Sequence, residues 1–166
     1  MSHLLSPGNR TRSTWLRAGN TPAARPLLLL GLLAATMTTT PVAAHKVQTA
    51  ADVGGTLHIE PNDNPQAGKA ALTWIALTRK GGQVIPLQQC NCQLAVYAQP
   101  RTKSSSPLLQ PPMKAVSVER YKNVPGAEIV FPKPGSYLLE LKGTPKARDN
   151  FKPFQLNFQV TVAGGN

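Results

Sequence analysis

FQLNFQVTV, Phe154–Val162, is the stretch that decides the fold. Phe154, Leu156, Phe158, Val160 and Val162 alternate with Gln155, Asn157, Gln159 and Thr161. Successive side chains of an extended chain point to opposite sides, so this pattern is a strand with one buried face and one wetted face. Such a strand needs a second layer to cover its apolar side. Just upstream, Tyr137, Leu139 and Leu141 alternate with Glu140 and Lys142 behind the turn residues Pro132-Lys133-Pro134-Gly135, which gives a second strand of the same kind.

Working outward, further strands are predicted at 56–60, 72–78, 92–97, 115–120 and 127–131. Turn or loop chemistry falls at Gly54-Gly55, 61–68, Gly81-Gly82, 100–112, Val124-Pro125-Gly126 and 143–145. The Pro- and Ser-rich loop 100–112 (PRTKSSSPLLQPP) reads as the flexible segment. No stretch carries a helical period. About seven short strands at this spacing predict an all-β chain, an antiparallel immunoglobulin-like β-sandwich. The 16 prolines suit it, because proline punctuates strands and blunts sheet edges. Leu139, Leu141, Phe154, Leu156, Phe158 and Val160 are the expected core, with mid-strand Trp74 buried alongside them between the sheets.

The N-terminus has a different character. Arg10, Arg12, Arg17 and Arg25 precede an apolar run of 11 residues, 27–37, and then Val42-Ala43-Ala44. A basic region, a short apolar region and small residues at the last and third-last positions form the layout of a secretory signal. The run is well short of the roughly 20 residues that span a bilayer, so it reads as cleaved and not as an anchor. A cut after Ala44 divides the chain into a signal peptide, 1–44, and a single β-sandwich domain, 45–166, of 122 residues that begins with His45. The expected product is soluble and periplasmic or secreted, with no membrane span after cleavage. It carries 14 basic and 7 acidic side chains, a balance of +7. Lys142, Lys146, Arg148 and Lys152 bunch near the C-terminus, and Arg101 and Lys103 lie in loop 100–112. Without interleaved aromatics or a recognition helix, these charges read as a solvated face and not as a nucleic-acid surface. The partners expected are other exported or membrane proteins.

Two runs carry a resemblance. IEPNDNPQAGKAALTWIAL, residues 59–77, and GGQVIPLQQCNCQLAVY, residues 81–97, together read as strand, P-x3-P-x2-G, strand, G-x-x-I-P turn, strand. This order is similar to the small exported β-sandwich domains of the YtkA-like and copper-resistance C-type groups. PGSYLLELKG, residues 134–143, resembles their penultimate strand. In the copper-resistance group the mature chain opens with a copper-binding histidine, so the resemblance implies that role for His45. The Ser-x-Pro-Ala-x-Gly type turn that usually follows it there is absent from this sequence.

Coordination chemistry leads to the same residue. An N-terminal histidine offers one metal both its α-amine and its imidazole Nδ1, and a second imidazole completes a three-nitrogen set suited to Cu(II). The only other histidine after the cut is His58, expected to point outward with Glu60 on the strand TLHIE. A hairpin turning at Val53-Gly54 would bring His45 level with Asn62, on the order of 13 Å from His58 at ~3.3 Å per residue. In that register Glu60, Asp63 or Asn64 is the nearer ligand. The bland alternatives are a histidine left where the signal ends and an ordinary exposed strand histidine.

Cys90-Asn91-Cys92 allows three readings. Residues two apart on a regular strand have Cα atoms ~6.5–7 Å apart, at the limit for a disulfide, so a bridge predicts a break in the strand at Asn91. Without a bridge, Cys90 and Cys92 are small buried residues on one face with Leu94 and Val96. A soft copper site with Met113 is the second possibility, and a redox pair the third, although the established redox spacing is C-x-x-C.

Enzymatic patterns are absent: the sequence holds no G-x-S-x-G, H-E-x-x-H, P-loop or dinucleotide fingerprint. The reading is therefore a non-enzymatic, exported, metal-binding protein that takes a copper ion at His45, His58, Glu60 and Asp63, for trafficking or buffering. Cys90, Cys92 and Met113 are the secondary ligand set. The alternative is a non-catalytic interaction or assembly domain without metal.

Overall fold

The computed structural model describes residues 46–146 and 151–165, all within the unit that spans residues 40–166. The expected signal peptide, His45 and Arg148 lie outside the described residues. Eight strands are described: β1 (Lys46–Ala50), β2 (Val53–Ile59), β3 (Ala70–Arg79), β4 (Cys90–Ala98), β5 (Lys114–Val118), β6 (Tyr121–Val130), β7 (Gly135–Pro145) and β8 (Phe154–Val162). A single 3-10 turn, Leu87–Gln89, leads into β4.

The strands form two antiparallel sheets, ordered β1-β2-β3-β6-β5 and β4-β7-β8. Leaving out β1, the orders are those of strands A-B-E-D and C-F-G of a constant-type immunoglobulin sandwich. A corner of that fold is present too. The Tyr137 hydroxyl, near the start of β7, donates to the Lys133 carbonyl oxygen at 2.8 Å.

The alternation of β8 holds along its whole length: Phe154, Leu156, Phe158, Val160 and Val162 are buried and the four residues between them exposed. They meet Leu57, Ile59, Ile75, Leu77, Leu139, Leu141 and Ile129 in the core between the sheets. Removing apolar surface from water at this seam is the main term that holds the layers together.

Three expected turns lie within strands. Gly54-Gly55 lies inside β2, and the chain turns instead at Ala51-Asp52, where Ala51 adopts φ 56°. Gly55 is a strand residue for a steric reason, since a Cβ there would stand 2.5 Å from Leu156 Cδ1 of the facing sheet. Val124-Pro125-Gly126 lies within β6, paired with Val116, Ala115 and Lys114 of β5. Residues 143–145 end β7, paired with Cys92, Asn91 and Cys90. The loop read as flexible is tied down at several points. Val96 exchanges backbone hydrogen bonds with Leu108 and Leu109, and Arg101 reaches Glu140.

Trp74 is buried, but not where it was expected. On β3, Ala71, Thr73, Ile75 and Leu77 face inward, so Trp74 faces outward. There it anchors a second cluster with Ala76 and Val124, flanked by Leu72, Val116, Val118 and Tyr121.

Candidate functional site

The β1–β2 ladder pairs Lys46 with Leu57, Val47 with Thr56 and Ala50 with Val53. This corrects the expected register by four residues. A hairpin centred on Val53-Gly54 would set residue 46 against 61, whereas the turn at Ala51-Asp52 sets it against 57. Paired side chains share a face in an antiparallel ladder. Lys46 accordingly lies on the side of inward-facing Leu57, and its Nζ donates to the Gln159 carbonyl oxygen of β8. Burial lowers the Lys46 pKa, partly offset by the negative charge of Asp63.

His58 faces outward, as its strand phase predicts, but it is half-buried. Its register partner across the ladder is Trp74, and the two rings stack with centroids 3.9 Å apart and planes 5° apart. Trp74 Nε1 donates to Glu60 Oε1 at 3.1 Å, and Tyr121 tilts against the indole at 5.5 Å. The imidazole is thus held flat on a buried indole, with the Glu60 carboxylate fixed nearby. Asp63 is used differently. Its Oδ1 accepts the Ile59 N–H at 2.6 Å while its own N–H donates to the Ile59 carbonyl, which closes the turn after β2. Asp63 is therefore part of the turn that follows β2. Among the described residues, no three His, Cys, Asp or Glu side chains converge on one point.

Cys90 and Cys92 are joined in a disulfide. The expected break at Asn91 does not occur. The ladder runs unbroken from Cys90↔Pro145 through Asn91↔Thr144 to Cys92↔Gly143, with the two Cα atoms drawn in to 5.2 Å. Both sulfurs belong to the inward face, with Cys90 buried and Cys92 half-buried. The readings that need thiolates, with Met113 as partner, do not describe this oxidised form.

A group the sequence reading missed is Glu140. It faces outward from β7 yet is buried, and its carboxylate takes Lys142 Nζ at 2.9 Å, Arg101 Nη2 at 3.2 Å and Gln155 Nε2 at 3.1 Å. Burial pushes its pKa up, but hydrogen bonds and charge from Lys142 and then Arg101 outweigh that and hold it below the ordinary carboxylate range. Lys142 is raised in return by its bond to Glu140. Arg101 also covers the Tyr97 ring at 4.1 Å. Two cations counted as part of a solvated basic face are therefore committed to one carboxylate. The signal was legible in part, because Glu140 and Lys142 are two apart on a strand and so share a face. The third member, Arg101, is 39 residues away in sequence.

No family model matches the sequence, and no curated protein matches it. Among solved structures, uropathogenic E. coli FetP, recombinantly expressed in the periplasm, aligns with a TM-score of 0.45 at 14% identity, over 74% of this chain and 96% of that one. A DUF4426 family protein from Pseudomonas aeruginosa aligns with a TM-score of 0.44 at 10% identity, over 70% of this chain and 97% of that one. The likeness to the YtkA-like and copper-resistance C-type groups thus remains one of strand and turn order.

Proposed function

We propose that the chain is exported, is cut after Ala44, and binds one copper ion at the open end of the β1–β2 hairpin, as a trafficking or buffering protein without catalytic activity. The observation that carries this reading is the register, with Lys46 opposite Leu57. His45 is one peptide bond from Lys46, so its Cα lies about 3.8 Å from that of Lys46. In sequence His45 directly precedes Lys46 and His58 directly follows Leu57, so the two histidines flank that registered pair. The α-amine and imidazole of His45 with the imidazole of His58 then make the three-nitrogen set that Cu(II) favours. Glu60 carries a carboxylate on the same face, two residues from His58. The stack on Trp74 supports the proposal by limiting how the His58 ring can turn, which reduces the entropy lost on ligation.

Trp74 is the only tryptophan after the cut, which gives the test its signal. Cu(II) held by His58 should quench Trp74 fluorescence at one equivalent in the processed protein. A single Ala placed before His45 keeps every side chain and removes only the terminal chelate, so it should abolish the stoichiometric quench. Equal binding by the extended and processed proteins would overturn the N-terminal site. Affinity should also fall as pH drops through the imidazole range near ~6.5, because ligating nitrogens must be deprotonated. The second reading, an interaction domain without metal, is favoured by β1, an edge strand on which Val47 is 60% exposed. It predicts no stoichiometric quench in either protein.

A further inference from the structure

β4 is an edge strand of its sheet, and part of that edge is already covered. Val96 donates its N–H to the Leu109 carbonyl oxygen at 2.9 Å, and its own carbonyl accepts the N–H groups of Leu108 and Leu109. Those bonds fix which backbone groups of β4 point away from β7. Hydrogen-bonded and non-bonded pairs alternate along an antiparallel ladder. Val96 directs its N–H and C=O to Leu108 and Leu109, so its pair with Leu139 is of the non-bonded kind. The same then holds for Leu94↔Leu141 and Cys92↔Gly143 in the unbroken register. The N–H and C=O groups of Leu94 and Cys92 therefore face the open edge, where no backbone group of the described residues meets them.

The chain's own segment does not cover them, and its prolines give the reason. Continuing the Val96–Leu109 pairing by two residues would set Pro111 against Leu94. Proline has no N–H, so it cannot give the bond that the Leu94 carbonyl would accept. A groove of about 360 Å3 remains, lined by Cys92, Leu94 and Ala95 of the strand and by Pro111 and Met113 of the segment. Leu94 is buried, and Cys92 and Met113 pack on the margin of the main core, so the inward side of the groove is apolar. On the outward side the lining includes Glu140 and Lys142. Ala95, the register partner of Glu140, carries only a methyl group, which leaves the groove open to that pair.

We propose that this edge accepts an extended segment of another protein as an added strand, with apolar residues facing inward beside Leu94 and acidic residues facing outward toward Lys142. Main-chain bonds to Leu94 and Cys92 would supply affinity, and alternate side chains the specificity. It is the edge at which variable-type immunoglobulin sheets carry a further strand beyond strand C, the place that β4 holds here. The acidic preference follows from charge. Glu140 is held by two cations, Lys142 and Arg101, so the cluster keeps a net positive charge. Lys142 is exposed and gives Glu140 one bond, at 2.9 Å, out of the three that an ammonium group can donate. The proposal needs no metal, so the copper site on the hairpin can fail without affecting it.

The probe is a short capped peptide of alternating valine and glutamate, titrated into isotope-labelled processed protein in the presence of a metal chelator and followed by nuclear magnetic resonance. The backbone amides of Leu94 and Cys92 should shift and their hydrogen exchange should slow, while the amides of β1 stay unchanged. The same peptide methylated on its valine nitrogens should not bind, because a valine opposite Leu94 turns its N–H toward β4. A valine–lysine peptide should bind about tenfold more weakly, and Lys142→Gln should weaken the valine–glutamate peptide about threefold with the fold unchanged. Equal binding of the methylated peptide overturns strand addition, and a preference for the lysine peptide overturns the acidic chemistry. Shifts at Gln93 and Lys142 without Leu94 would mark a site for a small anion only, and shifts confined to β1 would place docking on the other sheet. Either result, or no shift at all, overturns the proposal.

Discussion

The outer face of the five-stranded sheet is dry at its centre, with Trp74 fully buried under His58, Tyr121 and the valines of β5 and β6. The outer face of the three-stranded sheet also buries one residue, Glu140, but encloses it with Lys142, Arg101 and Gln155. On the first face an aromatic ring is covered by other rings and aliphatic groups, a burial driven by water release. On the second a charge leaves water only because three donors replace it. The two faces teach that burial on the outside of a sandwich follows what neighbouring strands and loops lay over a position. Strand phase alone places both Trp74 and Glu140 in solvent.

The largest expected effect tests the dry face. Trp74→Ala removes a fully buried indole and should destabilise the protein by about 3–5 kcal/mol in denaturant unfolding, as much as Phe158→Ala between the sheets. A loss below about 1 kcal/mol would show that the outer cluster is ordinary surface. Next is Gly126→Ala. Gly126 is the other register neighbour of Trp74, and an added Cβ would stand 2.8 Å from Val116 Cγ2 and 3.3 Å from the Thr73 carbonyl oxygen. Overpacking there should cost about 1–3 kcal/mol, and an unchanged midpoint would mean that β5 moves aside easily.

The charged face gives a smaller effect that depends on pH. Glu140→Gln should cost about 1–2 kcal/mol at neutral pH, because it leaves the cations solvated but weakens three hydrogen bonds. Glu140 has its pKa lowered by folding, so its contribution is complete above the ordinary glutamate range and is lost as pH falls through the lower folded value. Stability curves of the parent and Glu140→Gln should therefore converge in acid. Parallel curves down to low pH would show that the carboxylate adds nothing. Arg101→Ala should matter least, about 0.5–1 kcal/mol, since Lys142 and Gln155 still hold the carboxylate and Arg101 is partly exposed. A larger loss would mark the stack on Tyr97 as the stronger contact.

Much of the fold was legible because strand period is local. The buried phases of β7 and β8 follow from side chains two apart, and the immunoglobulin-like class was read from the number and spacing of strands and turns. Glycines were misread for a physical reason. Gly55 and Gly126 look like turn residues in sequence, and only the side chains that crowd them, Leu156 and Val116, show that they are strand positions kept small. That error shifted the hairpin and with it the relation of Lys46 to His58. The outward phase of His58 was legible in the sequence, whereas its stack on Trp74 and the bond from Ile59 N–H to Asp63 Oδ1 were not.

The alternating apolar pattern by itself determined that strands with one apolar face need a second layer, and the number of such strands without any helical period made that layer another sheet. The spacing of the two cysteines left their state open, and a bridge was expected to break the strand at Asn91. Which positions meet across strands was decided only by tertiary structure: His58 on Trp74, Lys46 on Leu57, Arg101 on Glu140 and the closure of the disulfide within an unbroken ladder. Register and long-range charge pairing depend on the volume and polarity of residues far away in the chain, and a local period carries no record of them.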